Sequence, residues 1–316
     1  MISSVNARKM QQGQRRKRPC CLVRHWQLYL MILPALAYIL LFHYGPMYGI
    51  TIAFKDFSAR KGIMGSPWIG FENFDRLFSS YWFPIILKNT LTISILSLVI
   101  GFPIPIIVAL MVNEMENERT KKVFQTVSYA PHFISTVVLC GMITLFLSPN
   151  TGIINQLVIA FGGKSIHFMA KPTMFKWIYV ISGIWQGTGW GTIIYVAALS
   201  GVDKELVEAS RIDGANILQK IWYIHLPVLV PTIVILFILR CGSLFSVGYE
   251  KVYALQTAQN LMGSEVISTY SYKVGLATGS DFSFSTTISI FNSVCNSLIL
   301  ICANRLSRMV GQSGLW

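Results

Sequence analysis

The distribution of charged residues is the feature that most constrains how this chain can fold. About 20 consecutive apolar residues form a helix that crosses the hydrocarbon core of a bilayer. Only 12% of the residues are charged, whereas soluble domains carry about 25%. The sequence therefore predicts an all-α membrane protein with six transmembrane helices. The stretches without Asp, Glu, Lys or Arg are 26–54, 89–113, 123–163, 177–202, 221–239 and 282–304.

Two of these stretches need interpretation. The stretch 123–163 is too long for one helix, and Pro131 and the turn-forming residues SPNTG at 148–152 limit its span to about 132–148. A re-entrant segment near Gly152–Phe161 is an alternative for the remainder. The first stretch follows basic residues, as a signal peptide does, but it is too long for a signal. We interpret it as a span that is retained.

Basic residues predict the orientation, because loops on the cytoplasmic side are enriched in Lys and Arg. Six spans place both termini on one side. That side holds 15 Lys and Arg residues and the opposite side holds ten. We therefore expect both termini in the cytoplasm, with a basic tail at 1–25 and a membrane domain at 26–316. The net charge of +13 lies where topology requires it, which argues against a nucleic-acid partner.

The segment 203–227 is a polar stretch between two predicted spans. Asp203 is a suitable N-cap for a helix that Gly214 can end in the left-handed conformation. Asn216 and Gln219 resemble a capping box that begins a second helix, ahead of the next span. The sequence predicts two short helices joined by a glycine on the cytoplasmic side.

The first of these helices has an apolar face. Leu206, Ala209 and Ile212 recur on it, and no other part of the chain is predicted to cover them. An uncovered apolar face indicates a groove in a partner. The alternative is a helix lying on lipid, which requires basic flanks. Acidic residues outnumber basic ones here, so we favour the partner.

The segment EASRIDGANILQKIWYIHLP, from Glu208 to Pro227, resembles the EAA loop of permease subunits of ABC importers. The family pattern is E-A-A, then D-G-A, then I-x-L-P before a span. Ser210 replaces the second alanine, and Ile221 stands where the family usually has phenylalanine. The residues that the resemblance assigns to this loop are Glu208, Ala209, Ser210, Asp213, Gly214, Ala215, Ile224, Leu226 and Pro227.

The resemblance implies the type I ABC importer permease fold. It implies that the loop is a coupling helix seated in a separate ATPase subunit, with Glu208 and Gly214 as diagnostic residues. The implied partners are a second permease, two ATP-binding subunits, an extracytoplasmic solute-binding protein and the lipid bilayer of a bacterial cell membrane. ATP and Mg would bind to the ATPase. The segments FHYGPMYGITIAFKDFS, GSPWIGFENF, VSYAPHFIS, VISGIWQGTGWGTIIYVAALSGVD and SGLW resemble the branch that imports oligosaccharides or polysaccharide fragments.

Catalytic motifs are missing from the sequence. GGKS at 162–165 lacks the first glycine of a phosphate-binding loop, because Val158 occupies that position. No catalytic triad, paired carboxylates or metal-ligand spacing is present. We therefore expect a transport subunit that is not an enzyme and holds no metal or cofactor of its own.

Candidate residues for the substrate path come from polar and aromatic positions in or near the spans. Charges within a membrane indicate function, although Arg240 can instead pair within a subunit interface. A sugar site needs hydrogen-bonding groups and an aromatic face, although each candidate can also serve packing alone. The candidates are Trp185, Gln186, Trp190, Arg240, Tyr249, Glu250 and Asn292.

Two other transporter classes remain as alternatives. A permease for peptides or amino acids would carry the same loop. An ion-coupled secondary transporter would need acidic residues within spans and usually an inverted repeat, and neither is seen in the sequence.

Overall fold

The computed structural model describes residues 26–277, 280–309, 311 and 314–315. The basic tail predicted at 1–25 lies outside the described residues. Within them every regular element is helical, and the β-structure consists of one isolated bridge between Lys55 and Trp68. The all-α prediction is confirmed. The chain divides into two compact units, Met1–Thr51 and Ile52–Trp316.

The helices vary widely in length, from single turns to 28 residues. In chain order the α-helices are α1 (Trp26–Ile39), α2 (Gly62–Gly65), α3 (Glu72–Ser79), α4 (Trp82–Val99), α5 (Pro103–Asn113), α6 (Glu118–Tyr129), α7 (Thr136–Phe146), α8 (Ile153–Ala160), α9 (Pro172–Leu199), α10 (Lys204–Ile212), α11 (Ile217–Lys220), α12 (Leu226–Cys241), α13 (Tyr249–Leu255), α14 (Leu261–Ser264), α15 (Ile267–Tyr272) and α16 (Phe282–Met309). The 3₁₀ segments are Gly45–Phe54, Ala130–Phe133 and Phe168–Ala170, and the π-helical turns are Leu40–Tyr44, Ile221–His225 and Lys273–Ala277.

Among the described residues, four helical runs are long and apolar enough to cross a membrane: Trp26–Phe54, Trp82–Asn113, Ile217–Cys241 and Phe282–Met309. A bent pair of helices gives a fifth candidate. The remaining predicted span, 177–202, falls in α9, which has 28 residues and is about 42 Å long. α9 is not among the four runs, and its Trp, Gly, Gln and Thr residues lower its mean hydropathy. The count of six therefore remains a prediction.

The predicted span at 132–148 is not one straight helix. Glu118–Phe133 and Thr136–Phe146 meet at an angle of 97°. Pro131 lies in the last turn of the first piece, and the Ser135 hydroxyl caps the second by accepting a bond from the backbone N–H of Val138. α7 alone has 11 residues, about 16 Å, which is shorter than the bilayer core.

Helix α9 lies at the centre of the larger unit, where it packs against α4, α5, α6 and α12. One buried apolar cluster joins α5, α9 and α12 through Leu110, Tyr195 and Leu229. α9 and α6 approach closely at Gly189, where a Cβ would lie 2.0 Å from the carbonyl oxygen of Ser128. Only glycine allows this approach without moving a backbone.

We expect Gly189→Ala to destabilise the protein by about 1–3 kcal/mol, because backbone atoms of α6 cannot rotate away from the added methyl group. The matched control is Gly187→Ala in the same helix, where a Cβ would have no neighbour within 4 Å. Thermal unfolding in detergent measures the difference. Equal unfolding midpoints for the two variants would contradict the tight contact.

Candidate functional site

The loop 203–227 begins with a capped helix, as the sequence predicts. The Asp203 carboxylate accepts a hydrogen bond of 2.9 Å from the backbone N–H of Glu205. This bond satisfies one of the free N–H groups in the first turn of α10. Helix α10 then runs from Lys204 to Ile212.

Gly214 ends α10 in the left-handed conformation, with φ +76°. Its N–H donates to the carbonyl of Arg211 at 3.1 Å, and the N–H of Ala215 donates to the carbonyl of Ser210 at 2.9 Å. This pair of bonds is the Schellman arrangement, which satisfies carbonyls at a helix end. The position of α10 relative to the following helix therefore depends on a glycine.

The second helix also begins as the sequence predicts. Asn216 and Gln219 form a reciprocal capping box, with both side chain–backbone distances 2.8 Å. The helix does not end before the next span: α11 continues through the π-helical turn Ile221–His225 into α12, so Ile217–Cys241 is one run. Pro227 lies inside this run, and the wider turn before it accommodates a residue that has no N–H to donate.

Side chains on this loop are left uncovered by the described residues. The relative exposure of Ile212 is 87%, that of Leu218 is 76% and that of Trp222 is 65%. Leu206 and Glu208 on α10 are exposed as well. Large exposed apolar side chains on a capped segment form a surface suited to a protein partner.

A buried ionic cluster connects this loop to the end of α5. The Glu114 carboxylate lies 2.6 Å from Lys220 Nζ and 2.8 Å from His225 Nε2. All three side chains are almost fully buried. The histidine contact is close but is not an aligned hydrogen bond, and His225 Nδ1 has no hydrogen-bond partner among the described residues. Sequence reasoning missed this cluster, because Glu114 is 106 positions from Lys220.

A cavity of about 620 Å³ lies among α4, α9, α12 and α13. Trp190 on α9 lines it and stacks on His132, with ring centroids 4.5 Å apart and planes 5° apart. The Gln186 amide also lines it and donates to the carbonyl of Ile134 at 2.9 Å. The cavity thus offers an aromatic pair and polar groups in one place.

The seven predicted path residues separate into two groups. Gln186, Trp190 and Arg240 line the cavity. The others do not line it, and they are Trp185, Tyr249, Glu250 and Asn292. Sequence reasoning missed His132 and Lys251, whose types alone do not distinguish them from surface residues.

Lys251 is a buried cation at the cavity wall. Its Nζ donates to the carbonyl of Tyr179 at 3.1 Å and lies 4.8 Å from the centroid of the Tyr179 ring. Lys251 lies in α13, outside the four apolar runs and the bent pair. Burial lowers the pKa of the Lys251 ammonium to about 8.

Residues 101–313 match the family described as the binding-protein-dependent transport system inner membrane component. The chain belongs to this family. It is therefore the transport permease subunit of an ABC importer rather than an enzyme, and the resemblance carried by Glu208–Pro227 is confirmed at the level of the family. Within the described residues, no three His, Cys, Asp or Glu side chains form a metal-binding group.

Similar proteins cover almost the whole chain. It is 41% identical over 313 residues to the polygalacturonan/rhamnogalacturonan transport system permease protein YteP of Bacillus subtilis (strain 168), covering 99% of this chain and 97% of that protein. It is 38% identical to protein LplB of the same organism, covering 92% and 91%.

A solved structure is also similar. It is the bacterial alginate ABC transporter in complex with an alginate pentasaccharide-bound periplasmic protein. One of its chains is 39% identical to this permease, with a TM-score of 0.86, and the match covers 93% of this permease and 98% of that chain. The likeness therefore extends over nearly the whole chain.

Proposed function

We propose that this permease forms half of a pore that imports an oligosaccharide or polysaccharide fragment. The substrate class is supported by the similar proteins, since YteP is a polygalacturonan/rhamnogalacturonan permease and the solved transporter imports alginate. The cavity adds a physical reason. Sugars bind through hydrogen-bonding groups and aromatic faces, and Gln186 and the Trp190–His132 stack supply both.

The proposed topology has six spans with both termini in the cytoplasm of a bacterial cell, and it includes α9 as the fourth span. The 15 to 10 distribution of Lys and Arg supports it. Residues 1–25 would be a cytoplasmic tail, and 26–316 the permease domain in the cell membrane. This topology places α10 on the cytoplasmic side and the cavity next to the second, fourth and fifth spans.

The proposed assembly contains a second permease, two ATP-binding subunits and an extracytoplasmic solute-binding protein. The observation that carries it is the doubly capped loop, on which the apolar side chains of Ile212, Leu218 and Trp222 are exposed. ATP and Mg would bind to the ATP-binding subunits. Their closure would move α10, and the continuous run Ile217–Cys241 would transmit that movement into the membrane.

Purification of this permease from its native membrane tests the assembly. We expect an ATPase, a second permease and a solute-binding protein to co-purify. Uptake by the reconstituted assembly should require ATP. A permease that purifies alone and moves solute on an ion gradient would overturn the proposal.

We expect Trp190→Ala to lower oligosaccharide uptake by about tenfold, because it removes the aromatic face of the cavity. The control is Trp177→Ala, which removes an equally exposed tryptophan from the same helix outside the cavity. Uptake of a radiolabelled oligosaccharide into proteoliposomes measures both. Equal uptake by the two variants would remove Trp190 from the substrate path.

A further inference from the structure

The cavity of this permease carries an unbalanced charge. Arg240 and Lys251 both line it, and none of its lining residues is Asp or Glu. We propose that Arg240 and Lys251 bind carboxylate groups of an acidic oligosaccharide as it passes through the pore. This inference rests on the proposed function and adds the charge of the substrate to it.

The first cation of the cavity is Lys251. An ammonium has three N–H donors, and one of them is used by the carbonyl of Tyr179. No Asp or Glu among the described residues lies within ion-pair distance of Lys251. A buried charge without a counter-ion destabilises a protein unless another interaction compensates. An anion that enters the cavity would provide that interaction.

The second cation of the cavity is Arg240. It lies in the last turn of α12, where the helix dipole favours a cation. The dipole explains why a positive charge is tolerated there but leaves the guanidinium donors free. Arg240 is exposed and forms no ion pair with the described residues. The N–H groups of a guanidinium can donate to both oxygens of a carboxylate, which makes Arg240 a specific binding site for an acid.

The other cavity residues favour an acidic sugar over a small inorganic anion. Trp190 has about half of its surface exposed and presents a ring face. Ser97 and Ser243 add hydroxyl groups to the wall. A pyranose ring stacked on Trp190 and bearing a carboxylate would use the aromatic face, the hydroxyls and the cations together, whereas an inorganic anion would use the cations alone.

A purely structural role for Lys251 makes a different prediction. Its bond to Tyr179 holds α13 against α9. If that bond were its only role, removing the ammonium would impair the transport of every substrate equally. Binding of a carboxylate instead makes the loss depend on the charge of the substrate, so a comparison of charged and neutral sugars separates the two roles.

The test uses the complete importer in proteoliposomes, with its own solute-binding protein and ATP. The probes are trigalacturonate and its fully methyl-esterified form, which have the same length and differ in charge. The variants are Lys251→Met, Lys251→Arg and Arg240→Gln. Lys171→Met is the control, because it removes the same charge from an exposed position outside the cavity.

We expect Lys251→Met and Arg240→Gln each to lower the ratio of trigalacturonate to ester uptake by about tenfold or more. Lys251→Arg, which keeps the charge, should preserve most of the ratio, and Lys171→Met should leave it unchanged. Equal losses for both probes would overturn the inference. A wild-type importer that transports the ester or another neutral oligosaccharide but does not transport trigalacturonate would also overturn the inference. That outcome would leave the proposed function intact. Failure to transport any of these sugars would overturn the proposed function itself.

Discussion

Replacing Gly214 by proline is expected to abolish ATP-driven uptake while the permease remains inserted in the membrane. Gly214 has φ +76°, and proline is confined to φ near −65°. Proline also lacks the N–H that binds the carbonyl of Arg211. The end of α10 would therefore have to reorganise, and α10 would present a different surface to an ATPase. Membrane insertion should persist because the run Ile217–Cys241 begins after this position.

The matched control at the same position is Gly214→Asn. Asparagine enters the left-handed region more readily than most residues, and a Cβ here would have no neighbour within 4 Å. We expect uptake by Gly214→Asn to stay within a few-fold of wild type, and uptake by Gly214→Pro to fall to background. ATP hydrolysis stimulated by the loaded binding protein should follow the same order. Wild-type uptake by Gly214→Pro would remove the coupling role from this loop.

A charge reversal on α10 probes the same surface without altering the backbone. Glu208 is exposed and forms no ion pair with the described residues. We expect Glu208→Lys to weaken co-purification of the ATPase, because a side chain that faces a partner groove would change sign. Glu118→Lys, an equal charge change on the exposed start of α6, is the control. Equal recovery of the ATPase with both variants would place Glu208 outside the docking surface.

Replacing Glu114 by glutamine is expected to destabilise the permease by about 3–5 kcal/mol. The substitution keeps the shape of the side chain but removes the negative charge. Lys220, of which 6% is exposed, would then be buried without a counter-ion. The destabilisation should appear where α11 meets the end of α5, and it should loosen the base of the loop 203–227.

Glu116→Gln is the matched control for Glu114→Gln. Glu116 lies two residues away and is exposed, and its carboxylate is 4.0 Å from Arg211. Exposed pairs of this kind contribute about 0–1 kcal/mol, so the unfolding midpoint of Glu116→Gln should remain near that of wild type. Thermal unfolding and uptake, measured on both variants, compare the effect of the buried charge with that of the exposed one. A Glu114→Gln variant as stable as Glu116→Gln would show that the buried cluster does not stabilise the loop.

The turns of the loop 203–227 were predictable because their signals are local. Asp203, Gly214 and the Asn216–Gln219 pair each act on backbone groups within three to five residues, so their order in the sequence already specifies the turns. The continuation of α11 into α12 was missed. Pro227 indicates a boundary when it is considered alone, but a π-helical turn allows a helix to continue past a proline.

The lining of the cavity was only partly predictable, because neighbouring residues on a helix point about 100° apart. Glu250 and Lys251 are adjacent and both charged, yet Glu250 is exposed while Lys251 is buried and lines the cavity. No feature of the sequence distinguishes the two. The packing of α13 against α7 and α9 decides which charge faces the cavity.

The sequence by itself determined the class of protein and the form of the loop 203–227. Charge-free stretches, caps and the glycine act through burial and hydrogen bonding over short segments. They can therefore be recognised from the sequence alone. Only the tertiary structure decided what joins that loop to the membrane domain and what lines the cavity. The contacts of Glu114 with Lys220, and of Lys251 with Tyr179, span 106 and 72 positions. Such contacts form when helices pack, and helix packing depends on the whole chain.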